Sequence, residues 1–191
     1  MEKLRIVSIL LLTVFGSIFL MNGLNGQDTY TTNHGTIAIK TSINNANITL
    51  VSNDLNLLLN YKTADVKFNT ALKNFSADKP VTDTSILSGE LKFEGSLGIE
   101  YINTTEHPKQ NFNTEGVLKK GDNNIQISGS GTLEHLYSRQ KIACLLSLKY
   151  NINQENAMKI FPKSDITSGV HIEIIYAVLD KTFNENKVHG F

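Results

Sequence analysis

The sequence predicts an all-β protein, an antiparallel β-barrel of about eight to nine strands with at most one short helix. Three observations lead there. Apolar residues alternate with polar ones at a period of two in almost every segment after residue 35, the pattern of a strand buried on one face. Short clusters of Asn, Asp, Gly, Lys and Ser separate those segments, which is turn chemistry. Glycines also fall inside the alternating runs, where they mark bulges and tight bends.

The first element in the chain precedes the barrel. Lys3 and Arg5 stand before the apolar run Ile6–Met21, and the chain then turns polar and rich in Gly and Asn over Asn22–Tyr30. That is the form of a secretory signal peptide. A bilayer-spanning helix needs roughly 20 apolar residues, and Ser8, Thr13, Gly16 and Ser17 interrupt this run. Residues 1–26 are therefore read as a signal cleaved after Gly26, and 27–191 as a single barrel domain, exported to the periplasm or secreted. Leu24 is larger than the small residue usual two positions before a cleavage site. The alternative is an uncleaved N-terminal anchor, which is also the only expected route to membrane association.

The strands follow in order. Ile37, Ile39 and Ile43 alternate in Thr36–Ile43, and Ile48 and Leu50 in Asn45–Leu50. Leu55, Leu57, Leu59 and Tyr61 alternate in Asp54–Tyr61, then Ala64, Val66 and Phe68 in Thr63–Asn69. A polar insertion from Phe75 to Gly89 precedes Leu91, Phe93 and Leu97. It is placed at a barrel mouth, as lid or as docking surface. Beyond the polar stretch Glu100–Asn111, Pro108 cannot donate to a β-ladder, so the ladder is expected to start only after it. Phe112 then faces inward with Thr114 and Gly116, and Asn111, Asn113 and Glu115 face outward. The small residues 114 and 116 leave space beneath Phe112. Ile125, Ile127 and Leu133 mark the next strand, and Ile142, Cys144, Leu146, Leu148 and Tyr150 the one after. Asn153–Phe161 is the single plausible helix. Val170, Ile172, Ile174 and Tyr176 form the inward row of the last strand.

Strands that are apolar on one face must close into a barrel or pack as two sheets. Gly95, Gly98, Gly116, Gly129 and Gly131 lie inside or at the ends of strands, and the strong curvature they permit favours closure. The whole chain carries 18 basic and 18 acidic residues; loss of Lys3, Arg5 and Glu2 with the signal leaves 16 against 17, a formal charge of −1. So neutral a surface gives no electrostatic reason to bind nucleic acid. The one cysteine, Cys144, excludes an intramolecular disulfide. Its place in an inward row makes it a buried structural thiol.

Catalytic signals are missing. His34, His107, His135, His171 and His189 show no metal-ligand spacing. Gly129–Gly131 lies within a strand pattern, where a phosphate loop does not belong. There is no Gly-x-Ser-x-Gly elbow and no carboxylate pair apart from the solvated faces. The chain is expected to be no enzyme and to need neither metal nor cofactor.

The order of segments nevertheless resembles a family. Glu106, Pro108, Phe112 and Thr114 stand where the YceI-like family of exported, lipocalin-like proteins has an acidic residue and a proline before Phe-x-(Ser/Thr/Gly), ahead of an antiparallel pair joined by a Gly/Asp turn. The opening Thr31–Ile43 and the approach Ile160–Leu179 to a closing apolar strand are also similar. The resemblance covers about residues 30–182. It fails at Leu133–Ile142, where the family commonly has a His-Gly turn and this chain reads Leu-Glu-His-Leu-Tyr-Ser-Arg-Gln-Lys-Ile, which points to a different turn.

The resemblance implies a lipocalin-like barrel whose elongated apolar interior, in some relatives, holds a polyisoprenoid or quinone-like lipid. The residues expected to line it are Val66, Phe68, Leu91, Phe93, Phe112, Gly116, Ile125, Ile127, Leu146 and Leu148. From the residues alone, these rows either line a cavity or simply fill the barrel. Two functions follow, a carrier of a hydrophobic lipid or a ligand-free secreted interaction module acting through its polar loops.

Overall fold

A computed structural model describes residues 29–81, 84–99, 109–138, 141–162 and 164–181. The signal segment and its cleavage site, Glu106–Pro108 and the turn at Arg139–Gln140 lie outside the described residues, as does the side chain of Ile142. Nine strands are formed: β1 (Thr29–Ile43), β2 (Ala46–Asn60), β3 (Asp65–Ala71), β4 (Ser76–Ala77), β5 (Glu90–Leu97), β6 (Gln110–Lys120), β7 (Asn123–Ser138), β8 (Lys141–Ile152) and β9 (Val170–Lys181). One helix, α1 (Gln154–Ile160), lies between β8 and β9.

The strands pair antiparallel in the order β1-β9-β8-β7-β6-β5-β3-β2, and β1 pairs with β2 to close the ring. The fold is thus a closed eight-stranded barrel, with the two-residue β4 added along β2. Closure removes the edges on which another chain could pair. The inward rows make one core, with Ile37, Ile39, Leu91, Leu133, Leu146, Leu148, Ile172 and Ile174 at 0% exposure. β6 begins at Gln110, and Phe112 and Thr114 are buried while Asn111, Asn113 and Glu115 are exposed.

Two segments read separately in the sequence, Asn45–Leu50 and Asp54–Tyr61, form the single strand β2. The inward row moves from Ser52 to Leu55, an odd step that a strict period of two cannot make. Thr32 pairs with Leu57, Gly35 with Leu55 and Ile37 with Ser52, so β1 and β2 each carry one extra residue. The Ser52 hydroxyl accepts from the Asp54 backbone N–H (3.2 Å) and holds this bulge. A similar phase change corrects the last strand. Leu146 pairs with Ala177 but Leu148 with Ile174, so Tyr176 falls on the bulge and faces outward at 61% exposure, and Ala177 and Leu179 continue the core.

One barrel end is capped. The 75–89 insertion is more apolar in its packing than its composition suggests, since Phe75 and Ile86 are buried beside Leu72. The segment after β8 contributes Ala157, Ile160, Phe161 and Ile166. Asn153 starts α1, its side chain accepting from Asn156 N (2.9 Å), which satisfies a free N–H of the first turn. Asn44 N donates to Asp165 O and Thr167 N to Ser42 O, tying that segment to the β1–β2 hairpin. Asn44 and Asn45 there adopt φ of 50° and 64°, as a two-residue primed turn requires.

β5 and β6 approach closely at Gly95 and Gly116, which pair directly. A Cβ on Gly116 would lie 2.6 Å from Gly95 Cα and 2.7 Å from Phe93 Cζ, and closer still to Glu94 O. The space expected beneath Phe112 is therefore taken, because the Phe93 ring lies over this glycine pair. Gly116→Ala should lower stability by about 1–3 kcal/mol. Truncating Phe93 as well should not restore it, because the backbone contact remains. A thermal melt of Gly116→Ala that matched the parent would disprove this packing.

Candidate functional site

The barrel interior is the candidate site, and it has two zones. At mid-height, Phe68 and Phe93 stack with ring centroids 5.1 Å apart and planes at 17°. Tyr150 from β8 leans on Phe93, also at 5.1 Å. The phenol is polar, and a buried hydroxyl needs a partner. Thr114 supplies it, donating to Ser96 O (2.9 Å) and accepting from the Tyr150 hydroxyl at 3.3 Å. Burial pushes the Tyr150 phenol well above its ordinary ionisation, an effect the Thr114 hydrogen bond only partly opposes.

Of the ten residues expected to line the interior, nine are buried and Gly116 is half-buried in the same inward row. Phe68 and Phe93 touch, and Phe93 covers Gly116. Phe112 covers Gly131, where an added Cβ would meet its ring at 2.6 Å. Ile127 pairs with Gly116, and Leu148 with Gly131. Val66, Leu91, Ile125 and Leu146 lie buried on the inward rows of β3, β5, β7 and β8. As a set, these residues form hydrocarbon and aromatic packing.

The second zone lies at the opposite end from the cap, where β1 begins, β2 ends, and β7 runs into β8. Tyr30 and Tyr61 stack at 4.2 Å, and His135 stands edge-on to both, 5.2 Å from Tyr61 and 6.2 Å from Tyr30. Cys144 is the β8 partner of His135 and is fully buried. Two phenols, an imidazole and a thiol thus converge at this end of the core. Tyr61 and His135 were legible as polar tips in inward rows, His135 two residues after inward Leu133. Tyr30 was not, since the β1 bulge lies between it and the Ile37 row.

Burial pushes the Cys144 thiol up to about 12; a hydrogen bond from Tyr61 opposes the rise and the charge of Asp180 adds to it. The thiol is accordingly protonated and shielded at neutral pH, without the thiolate character of a nucleophile.

Comparison with known proteins adds a likeness of fold. No protein-family model matches the sequence, and no curated protein matches it. Among solved structures, a polyisoprenoid binding domain from Saccharophagus degradans, implicated in plant cell wall breakdown, superposes with a TM-score of 0.55 at 7% identity, over 82% of this chain and 99% of that one. BcnA of Burkholderia cenocepacia superposes with a TM-score of 0.48 at 11% identity, over 78% and 96%. At such identities the likeness is one of fold, and it is the barrel fold that the YceI-like resemblance implied.

Two outcomes follow for Cys144. A thiol reagent should label it only after denaturation, whereas rapid labelling of the folded chain would contradict its burial. An unfolded thiol ionises near pH 8.5 and the folded one near 12. Between these values the unfolded state binds fewer protons, so this contribution to stability is fully present below about pH 8.5 and declines above it, by up to about 1.4 kcal/mol per pH unit. Cys144→Ala should flatten that decline between about pH 8.5 and 10, below the range where Tyr150 joins in. Identical slopes in denaturant titrations of parent and variant would count against it.

Proposed function

We propose that the chain is an exported, non-catalytic barrel that binds the hydrocarbon part of a hydrophobic lipid, of polyisoprenoid or quinone-like class, in its interior. The observation that carries this reading is a closed barrel lined by hydrocarbon and aromatic rings and capped at one end, in a fold shared with a polyisoprenoid binding domain. An apolar bore with a few polar groups at one end suits a long chain with a small head. In this reading the lipid enters past Tyr30, Tyr61 and His135 and displaces the Phe93 ring from the Gly95–Gly116 pair. Periplasmic or secreted location follows from the signal-like N-terminus, and any membrane association from its retention.

A specific observation favours a second reading. The Phe68–Phe93–Tyr150 stack already fills the barrel at mid-height, as expected of a solid core in a secreted interaction module that works through its loops. Native mass spectrometry of protein purified from its own source separates the two. The carrier reading expects a lipid mass retained on the folded chain and recovered by organic extraction. Phe93→Ala should retain a polyprenyl chain at least as well as the parent, while losing roughly 3–5 kcal/mol of stability. Parent and variant both devoid of lipid, and unable to take up a fluorescent polyprenyl probe, would leave the module.

A further inference from the structure

On the outside of the barrel, a concave groove of about 540 Å³ crosses β6, β7, β8 and β9. Its floor is set by the register. Asn113 pairs with Ser130, Ser130 with Lys149 and Lys149 with Glu173, while Asn111 pairs with Thr132 and Thr132 with Ser147. Small hydroxyls and amides therefore face outward in two adjoining rows. Neighbouring strands lie about 4.8 Å apart, so the four-strand row runs for about 14 Å and the three-strand row for about 10 Å, the length of a short oligosaccharide. The Lys149–Glu173 ion pair (3.1 Å) cancels the charges within the floor, and Lys109 stands in the lining on β6's side.

Tyr176 forms one wall of this groove. Among the described residues it is the most exposed of the large hydrophobic side chains, at 61%, and its φ of 47° is a conformation that a bulky residue rarely adopts. The β9 bulge imposes that conformation, and the Ser147 hydroxyl, accepting from Tyr176 N at 3.3 Å, holds it. A bulge re-aims a side chain that regular alternation would have placed in the core. Outliers of this kind gather where a function maintains them.

We infer that this face binds an extended, neutral pyranose chain, with Tyr176 as its stacking platform. The ring face of a tyrosine carries negative charge density that attracts the polarised C–H groups of a sugar ring. The Asn, Ser and Thr side chains beside it donate to and accept from hydroxyls. A peptide is the poorer occupant, since β6 to β9 are paired on both sides and offer no free edge for an added strand.

The test is titration of the mature chain with cellotetraose, xylotetraose and mannotetraose, followed by backbone amide shifts and calorimetry. At least one should bind, with shifts confined to the outward rows of β6 to β9. Tyr176→Gly suits the positive φ, so it should keep or raise the melting temperature while weakening binding about tenfold or more. Tyr176→Phe keeps the ring and should keep the binding. No shift with any of the three sugars at millimolar concentration overturns the inference, and so does binding that survives Tyr176→Gly. An extended peptide that binds this face in place of the sugars overturns it too. None of these readouts depends on whether lipid occupies the interior.

Discussion

The approach of β5 to β6 at Gly95 and Gly116 is the constraint on which the rest of the interior depends. Two facing glycines remove the Cβ layer that would otherwise separate the strands from the core, and the Phe93 ring takes that space. Phe68 can then stack on Phe93, and Tyr150 can lean in from the opposite wall with its hydroxyl on Thr114. Gly131 does the same for Phe112 one strand pair away. A small barrel normally fills itself by alternating large and small residues along its wall. Here the small partner is glycine and the large one aromatic, so rings lie flat against backbone. A side chain at either glycine meets peptide oxygen rather than a movable neighbour. That is why these positions govern packing more strictly than Leu91 or Leu146 do.

Much of the fold was legible because one signal, period-two alternation, is produced by one cause, burial of a single face of each strand. Val66 and Phe68, Leu91 and Phe93, Ile125 and Ile127, and Leu146 and Leu148 all face inward as the alternation requires. The helix was legible for another reason, a capping Asn153 before a short apolar period. The bulges were not. A bulge adds one residue and reverses the face of everything beyond it, and neither Asn53–Asp54 nor Ile175–Tyr176 carries the glycine that signals one. Tyr176 was thereby assigned to the core and is outside, while Tyr30 was left out of the core and is wholly buried. The 75–89 insertion was placed at a barrel mouth, but its buried residues were not legible. Phe75 and Ile86 sit in a polar composition, and composition cannot show that two apolar residues in fifteen are the ones turned inward.

The same bulges explain why the end opposite the cap has a chemistry of its own. By shifting phase near the ends of their strands, β1 and β9 bring Tyr30, Ala177 and Leu179 into the core layer that already contains Tyr61, His135 and Cys144. Polar tips at this depth are costly unless they find partners among themselves. Stacking of Tyr30 on Tyr61, the edge-on His135, and the Tyr61–Cys144 hydrogen bond are how this cluster stays buried. The ring nitrogens, the thiol and two of the buried phenols thereby gather at one end, while the Tyr150 hydroxyl lies at mid-height on Thr114.

A barrel filled by its own side chains and a barrel that takes a lipid differ by less than they first suggest. Lifting the Phe93 ring off its glycines forfeits two aromatic contacts, each about 0.5–1.5 kcal/mol beyond the area buried. A hydrocarbon chain regains about 0.8 kcal/mol for each methylene it buries, so three or four such groups offset the loss. The glycines matter again here, because the surface the ring vacates is backbone with no side chain to rearrange, and a linear chain can lie along it. A short or strongly polar guest cannot supply that offset. If the carrier reading proposed above holds, the stack sets a threshold on hydrocarbon length, which a prenyl chain long enough to pass mid-barrel clears and a guest that ends before it does not.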